Sequence, residues 1–477
     1  MLGRIIRHEW RTLGADATLW VVGLAFVAAI GYGVWNGARW VSFQQAALAA
    51  SAAEEAERYA GLEQEVQELQ RTGGKVSPFR DPRSPSNAGS RFAPRYATLP
   101  PGPLAPLAVG QSDLLPYYFK VSTDSRDAIV GATEIENPQR LLVGRFDLAF
   151  VLIFFYPILI LALCYNMLSA EQEQGTLALT LSQPLSLATL ASGKVLLRAG
   201  VLVGTVVACT LAALFIGGVD LGGPGALPRL SLWVAAVVAY GAFWFGLAML
   251  VASFGLRSAA NATVLASAWL VLVVVLPSVF NLVATTLFPV PSRMELVQAV
   301  RVASDDANAA GSKLLAGYYE DHPELATGDA AQAMTDFNVI RIAVNDDVER
   351  RVRPVVQRYE QQIAAQQRLV DGLCFVSPAV LMQSALYDIA GTGHARHQTF
   401  LRQVDAYHAA WRQFFTPLIF QKASFTNYAG TPRFEFDEET AGTVAGRVAP
   451  AVFGLAIPAI ALVWFALARL ARFPIVS

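Results

Sequence analysis

The sequence predicts an all-α polytopic membrane protein with six transmembrane helices, an amino-terminal interfacial helix and a mainly helical extracytoplasmic domain built from two inserts. The first observation is composition: 54% of the 477 residues are hydrophobic and only 15% are charged, whereas about 25% are charged in a typical soluble domain. The second is six apolar stretches of roughly 20 residues, the length that crosses about 30 Å of hydrocarbon. The third is two long polar stretches in which apolar residues recur at helical spacing.

Charge and cysteine content exclude several classes of function. The net charge is −1, and no run rich in Lys or Arg is present. Because nucleic-acid binding requires clustered cations, we expect no nucleic-acid partner. Two of the three cysteines lie in apolar stretches, so neither a disulfide framework nor a zinc site is expected from Cys164, Cys209 and Cys374.

Residues 1–17 are predicted to form an interfacial helix on the cytoplasmic leaflet. Apolar residues fall on one face of this helix and cations around the other, with Trp10 near the depth of the lipid headgroups. The alternative is a basic tail that precedes the first span. The candidate functional residues of this helix are Arg4, Arg7, Glu9 and Trp10.

The first apolar stretch is expected to remain as an anchor, because it is long and lacks a clear signal cleavage site. The six spans are predicted at 18–37, 147–168, 195–217, 232–254, 261–282 and 448–468. We call residues 38–146 insert 1 and residues 286–446 insert 2.

Each insert contains one predicted amphipathic helix. In insert 1, residues 48–69 carry a narrow apolar seam, and the Pro-rich residues 72–106 predict an irregular loop. In insert 2, an apolar rhythm extends over 334–363, where Pro354 is expected to kink the helix. We expect the two helices to pack together, and the alternative is that each seam pairs with a second copy of the chain.

The distribution of cations predicts that both termini are cytoplasmic and that both inserts lie outside the cytoplasm. Lys and Arg near the ends of spans stay on the cytoplasmic side. The short loop on the opposite side has only Arg229. We therefore expect a multi-pass protein of the inner (cytoplasmic) membrane, with these cations inside: Arg4, Arg7, Arg11, Lys194, Arg198, Arg257, Arg469 and Arg472.

Residues 169–194, with the sequence SAEQEQGTLALTLSQPLSLATLASGK, are the most informative stretch of the chain. They are too short and too polar to span a membrane, and they predict a short amphipathic helix and a turn at the cytoplasmic face. We interpret them as the contact site for a partner ATPase. The residues that define the pattern are Glu171, Glu173, Gly175, Thr176, Gln183 and Pro184.

The missing motifs are consistent with energy arriving from a partner. The chain has no GxxxxGK[ST] loop, so we expect ATP and Mg²⁺ to bind to a separate subunit and no cofactor to bind here. It has no HExxH motif and no GxSxG motif, and we expect no enzymatic activity of its own. The predicted spans have no Asp, Glu or Lys at mid-depth, which argues against coupling to an ion gradient.

Two sets of polar residues, one of histidines and one of acids, are weak candidates for metal sites. His394 and His397 are spaced to share a helix face and are weak candidates for binding a metal, although a structural role beneath Tyr407 and Trp411 is also open. Three acidic groups lack the spacing of a calcium loop, so we expect solvated helix faces at Asp305–Asp306, Asp346–Asp347 and Asp437–Glu439.

The RHEWR sequence of the first helix, the EQEQGT stretch, the SQP turn and Gly193–Lys194 together resemble the permease subunits of type-2 ABC transporters, in the branch with large extracytoplasmic inserts. The resemblance implies a dimer with a second permease copy or a paralogue, and one ABC ATPase subunit bound to each. It also implies a coupling helix that contains Glu171, Glu173, Gly175 and Thr176.

Two other functions remain open. The chain could be a mechanotransmission or scaffold protein that acts on another envelope protein without passing a substrate. It could also be a membrane-anchored domain that handles metal through His394 and His397.

Overall fold

The computed structural model describes residues 2–15, 17–74, 76–124, 146–177, 186–223, 225–290, 293–321 and 337–472. Most of the described residues are helical, which confirms the predicted all-α fold class. The main helices are α1 (Leu2–Ala15), α2 (Ala17–Thr72), α3 (148–164), α4 (Ser169–Glu173), α5 (Leu187–Ile216), α6 (Ala226–Ala252), α7 (Ser258–Leu287), α8 (Arg293–Ala309), α9 (Gly311–Asp321), α10 (Phe337–Leu373), α11 (Pro378–Ala390), α12 (His394–Phe420) and α13 (Ala441–Leu470).

Six helical segments in the described part of the chain are long and apolar enough to cross a membrane, which fits a multi-pass membrane protein. Helices α3 and α6 are central and largely buried, whereas the other four expose most of their apolar surface. Such exposed faces are expected where helices contact lipid. The six segments are Leu19–Thr72, Leu148–Glu173, Leu187–Ile216, Ala226–Ala252, Ser258–Leu287 and Ala441–Leu470.

Helix α2 joins the predicted first span and the predicted seam of insert 1 into one helix of 56 residues. The boundary predicted at Gly37 marks the end of the apolar stretch and not the end of the helix, because the following residues are rich in helix-forming Ala, Glu and Gln. The helix ends before Gly73, whose φ of +64° suits a glycine after a helix terminus.

The Pro-rich part of insert 1 is mostly irregular, as predicted, but it also contains a two-stranded sheet. Strand β1 (Arg95–Thr98) pairs antiparallel with β2 (Tyr118–Val121), with Ala97 opposite Phe119. Both of these side chains are buried in a core that includes the seam of α2.

Helix α10 of insert 2 continues as one helix through Pro354. Its most extensive packing is against α8 and α9, so the predicted pairing with the seam of α2 is not its main contact. Both helices instead contribute to one core, in which Tyr59 and Val66 of α2 join Val339 of α10 and Trp411 of α12.

Helix α11 belongs to insert 2 but packs inside the bundle of span helices. Its apolar side chains, including Met382 and Ile389, share one core with α3, α6 and α13. The hydroxyl of Ser377, just before α11, donates a 2.7 Å hydrogen bond to the carbonyl oxygen of Leu272 in α7. The prediction places all of insert 2 beyond the spans, whereas α11, which is mostly apolar but too short to cross a membrane by itself, packs against span helices.

Candidate functional site

The predicted coupling segment begins as a short helix, in agreement with the sequence pattern. Helix α3 ends at Cys164, and after a turn α4 runs over Ser169–Glu173. Gly175 follows with a φ of +69°, a left-handed conformation that glycine adopts without steric cost. Gln183 and Pro184 lie outside the described residues.

Lys194 ties this short helix to α5. Its ammonium lies 2.7 Å from Oε1 of Glu171 and donates a 2.9 Å hydrogen bond to the carbonyl oxygen of Met167. Lys194 is only 6% exposed, and a buried ammonium is costly unless it is paired and hydrogen-bonded. The ion pair therefore fixes α4 against the base of α5.

Glu173 ties the same short helix to α7. Its carboxylate accepts hydrogen bonds from the backbone N–H of Ser258 at 2.7 Å and from the Ser258 hydroxyl at 3.0 Å. Ser258 is the first residue of α7, so Glu173 supplies the acceptor and the negative charge that a helix amino terminus favours. A second contact joins the hydroxyls of Ser169 and Ser258 at 2.8 Å.

Helix α1 is joined to the bundle by an ion pair between Glu9 and Arg198. Glu9 is 4% exposed, and its Oε1 accepts a 2.8 Å hydrogen bond from Nε of Arg198 and a second from Nη2. Among the other candidate residues of α1, Arg7 and Trp10 are exposed, as an interfacial helix requires, and the Arg4 side chain is outside what the structure describes.

Lys194 and Arg198 play parallel roles on α5. They are four residues apart and therefore on one face of the helix. Each bonds a carboxylate from an earlier element and a carbonyl oxygen near the end of α3, which is that of Met167 for Lys194 and that of Leu163 for Arg198. The last carbonyls of a helix lack partners within it and favour cations. The base of α5 thus holds α1, α3 and α4 together.

The part of the segment that faces outward is polar, and its one charged residue, Glu173, is hydrogen-bonded to Ser258. Gln172, Gln174 and Gly175 are exposed. Beside them is an open cavity of about 500 Å³, lined by Ser169, Gln172, Glu173, Gly255, Leu256 and Arg257. The exposed Arg257 forms no ion pair with the residues that the structure describes.

Sequence reasoning identified Glu171, Glu173 and Glu9 as site residues but did not identify their partners. Lys194 and Arg198 were interpreted as cations that flank a span. A signal was present, because two cations one helical turn apart at the start of an apolar helix require nearby anions.

The opposite end of the bundle contains a second ion-pair network, centred on Arg229. This residue is 1% exposed, and its Nη2 lies 3.1 Å from Oε1 of Glu438. Glu438 also accepts a 2.9 Å hydrogen bond from Arg396, and Glu439 lies 2.5 Å from Arg447. The expectation of a solvated face is therefore wrong for Glu438 and Glu439, because they join α6, α12 and α13.

Two further acidic residues, Asp346 and Asp347, also form ion pairs. Asp347 contacts Arg351 at 2.5 Å, and Asp346 contacts Arg412 at 2.8 Å. Asp347 therefore links two successive turns of α10, and Asp346 links α10 to α12.

The histidines of α12 bind separate backbone or side-chain partners. Nε2 of His397 lies 3.0 Å from the carbonyl oxygen of Pro116, and Nε2 of His394 lies 2.8 Å from Gln398. Burial lowers the pKa of both imidazoles. No cluster of three or more potential metal ligands is found in the residues that the structure covers.

Comparison with known proteins gives one partial match. Residues 293–437, which extend from α8 to the segment before α13, match a family described as a domain of unknown function, DUF3526. No curated protein and no solved structure matches the chain. The match covers less than half of the chain, and it includes α11, the helix of insert 2 that lies inside the bundle.

Proposed function

We propose that the chain is the transmembrane permease subunit of an ATP-driven type-2 ABC transporter. ATP and Mg²⁺ bind to a separate ABC ATPase subunit, and a second permease copy or a paralogue completes the membrane part. The observation that carries the proposal is that α4 follows α3 directly and is bonded to α5 through Glu171 and to α7 through Glu173. A force applied to α4 would therefore reach three span helices at once.

The position of this segment in the cell is part of the proposal. The segment and both termini face the cytoplasm, and the membrane is the inner membrane. Support comes from the cations near this end of the bundle, since Lys and Arg next to spans remain on the cytoplasmic side. The exposed Arg7, Arg11 and Arg257 are the clearest of them.

The proposed contact surface for the ATPase consists of the exposed residues near α4 that the bonds of Glu171 and Glu173 do not involve. Glu171 and Glu173 are occupied within the chain, so the ATPase contacts Gln172, Gln174 and the cavity beside Arg257. The glutamine side chains and the exposed guanidinium of Arg257 suit a partner surface that presents hydrogen-bonding groups and a carboxylate.

A co-purification experiment tests the proposal. The chain is co-expressed with an ABC ATPase subunit from its own source cell, and the ATPase retained on the purified chain is quantified. Gln172→Trp combined with Gln174→Trp blocks the docking surface without touching the internal bonds, and should reduce retention about tenfold or more. Gln361→Trp, on the exposed face of α10, is the control and should retain the ATPase. If no ATPase is retained by the wild type, or if the double variant retains it normally, the proposal fails.

A second function is favoured by the position of α11. This helix is packed among span helices and continues into α12 of insert 2, so motion of the spans could be passed to another envelope protein without transport. The two functions differ in a liposome assay. A transporter hydrolyses ATP faster when its substrate is added, whereas a mechanotransmission protein responds to its envelope partner instead.

A further inference from the structure

A groove separates α1 from the span helices at the same end of the bundle as α4. It has a volume of about 340 Å³ and lies between α1, α2, α3 and α5. Its walls include Leu13, Leu24, Phe26, Leu159 and Leu202. A cleft with these walls, open between helices that are suited to a membrane, accommodates a hydrocarbon chain.

Two polar side chains line the groove, and both bond within the chain: the hydroxyl of Thr205 donates a 2.8 Å hydrogen bond to the carbonyl oxygen of Val201. Arg198 reaches the groove, but its guanidinium is engaged by Glu9. Trp10 and Trp20 also line it and are 60% and 68% exposed. The indole N–H of Trp20 donates a 3.0 Å hydrogen bond to the carbonyl oxygen of Gly14. Exposed tryptophans of this kind sit at the level of lipid headgroups.

Two cations lie along one side of the face of α1 that lines the groove. Trp10, Leu13 and Gly14 belong to this face, and at 100° per residue Arg7 projects about 65° and Arg11 about 105° from its centre. Both arginines are exposed, and neither forms an ion pair or a hydrogen bond within the described residues. An anion at this edge would therefore meet two free guanidinium groups, which suit phosphate oxygens.

We propose that the groove binds one acidic phospholipid. An acyl chain occupies the apolar cleft, and the phosphate lies against Arg7 and Arg11. Along α2 the lining passes from Phe26 and Leu24 to Trp20, so the apolar wall ends at an indole, as the acyl chain of a lipid ends at its headgroup. Because the lipid would contact α1, α2 and α5 together, it would also fill the space next to the Glu9–Arg198 ion pair.

The test uses the purified full-length chain in a neutral detergent, with phosphatidylglycerol and phosphatidylcholine that have the same acyl chains. Retained lipid is counted by native mass spectrometry, and lipid-induced change in Tm is measured in parallel. The wild type should retain phosphatidylglycerol at about tenfold lower concentration than phosphatidylcholine, since two cations contribute. Arg7→Gln with Arg11→Gln should abolish this preference and leave the weaker binding of phosphatidylcholine.

A glycine in the wall of the groove provides a variant that leaves every charge in place. A Cβ atom at Gly23 would meet no atom of another element within 4 Å, and Gly23 lines the groove, so Gly23→Leu extends a side chain into the groove and should displace both lipids. Gly31 lies on the same helix, is equally unobstructed and does not line the groove. Gly31→Leu is therefore the matched control and should bind lipid like the wild type.

Three results would overturn the inference. The first is equal retention of the two lipids by the wild type. The second is normal lipid retention by Gly23→Leu. The third is a change of oligomeric state in Gly23→Leu, measured by light scattering, with no effect of lipid on the wild type, which would make the groove an interface between two copies of the chain.

Discussion

The phenol hydroxyl of Tyr240 donates a 2.9 Å hydrogen bond to the carbonyl oxygen of Ile153. Ile153 lies in a π-helical turn of α3, four residues before Pro157, which has no N–H to donate. The bond from Ser377 also lies beside a proline, because Leu272, in a π-helical turn of α7, is five residues before Pro277, the spacing at which an N–H in such a turn would bond its carbonyl oxygen. In a membrane every backbone carbonyl needs a partner, so at each of these turns, where a proline removes an N–H donor, the span receives a hydroxyl donor from another element.

The hydrogen bond from Tyr240 predicts different changes in stability when two neighbouring tyrosines, Tyr240 and Tyr156, are replaced by phenylalanine. Tyr240→Phe removes the donor for the Ile153 carbonyl and should destabilise the protein by about 1–3 kcal/mol. Tyr156 is equally buried, but its hydroxyl has no hydrogen-bond partner among the residues that the structure describes, so Tyr156→Phe should be neutral or stabilising. Thermal unfolding of the two purified variants measures the difference. Equal loss of stability in both would refute the assigned role of the Tyr240 hydroxyl.

The ion pair between Lys194 and Glu171 predicts a non-additive double-mutant cycle. Glu171→Gln leaves the buried ammonium without its anion, and Lys194→Met removes the cation but keeps an apolar chain of similar length. The double variant should be more stable than the sum of the single effects by about 1 kcal/mol, because the carboxylate is partly exposed. Additive changes in unfolding free energy would show that the pair contributes no coupling.

The network around Arg229 predicts different effects at two adjacent acids. Glu438→Gln removes the charge of the carboxylate that Arg229 and Arg396 share. The free energy of unfolding should fall by about 2 kcal/mol, which is less than for a fully buried ion pair because the Glu438 side chain is partly exposed. Asp437→Asn changes an exposed neighbour and should change stability by less than about 0.5 kcal/mol. Chemical denaturation of both variants tests this, and a larger effect at Asp437 would contradict it.

Two buried imidazoles predict that insert 2 loses stability in acid. Burial lowers the pKa of His397, next to Pro116 and His394, and of His408, whose Nε2 lies 2.8 Å from the carbonyl oxygen of Asp124. In the unfolded chain a histidine has a pKa of about 6.5. Because both imidazoles have lower pKa values in the folded protein, keeping them neutral favours the folded state. This contribution to the free energy of unfolding is fully present above pH 6.5 and is lost as the pH falls through the folded pKa values.

Hydrogen exchange of peptides from α12 at pH 7.5 and 5.5, corrected for the intrinsic rate, measures this effect. His397→Gln with His408→Gln keeps a hydrogen-bond donor at each site but cannot be protonated, so the variant should lose less protection at pH 5.5 than the wild type. His8→Gln, at an exposed position of α1, is the control. An unchanged pH response in the double variant would mean that other groups cause the effect.

The sequence predicted those features that depend on local pattern. Long apolar stretches located the spans, and the short polar pattern after α3 located α4 and its two glutamates. The boundary of α2 was misplaced, because hydropathy changes at Gly37 whereas the helix propensity of the next residues does not. The strands β1 and β2 were missed because four-residue strands among prolines leave almost no periodic signal.

The remaining features depend on which distant residues meet. No local pattern specifies that Glu9 pairs with Arg198, at a separation of 189 residues, or that Glu438 compensates Arg229. Helix α11 is ambiguous for a related reason, since a helix of 13 mostly apolar residues fits a soluble core as well as a membrane bundle. The prolines at 157 and 277 carried a usable signal, because each announces a carbonyl that requires an outside donor.

The continuity of α2 sets the scale of any movement that the spans undergo. A helix of 56 residues is roughly 84 Å long, of which roughly 50 Å lies beyond Gly37. The helix has no proline in its interior, so it acts as a lever whose short arm is the span and whose long arm enters the core of both inserts. A change of about 5° in tilt would carry Thr72 through about 4 Å, comparable to one helical turn.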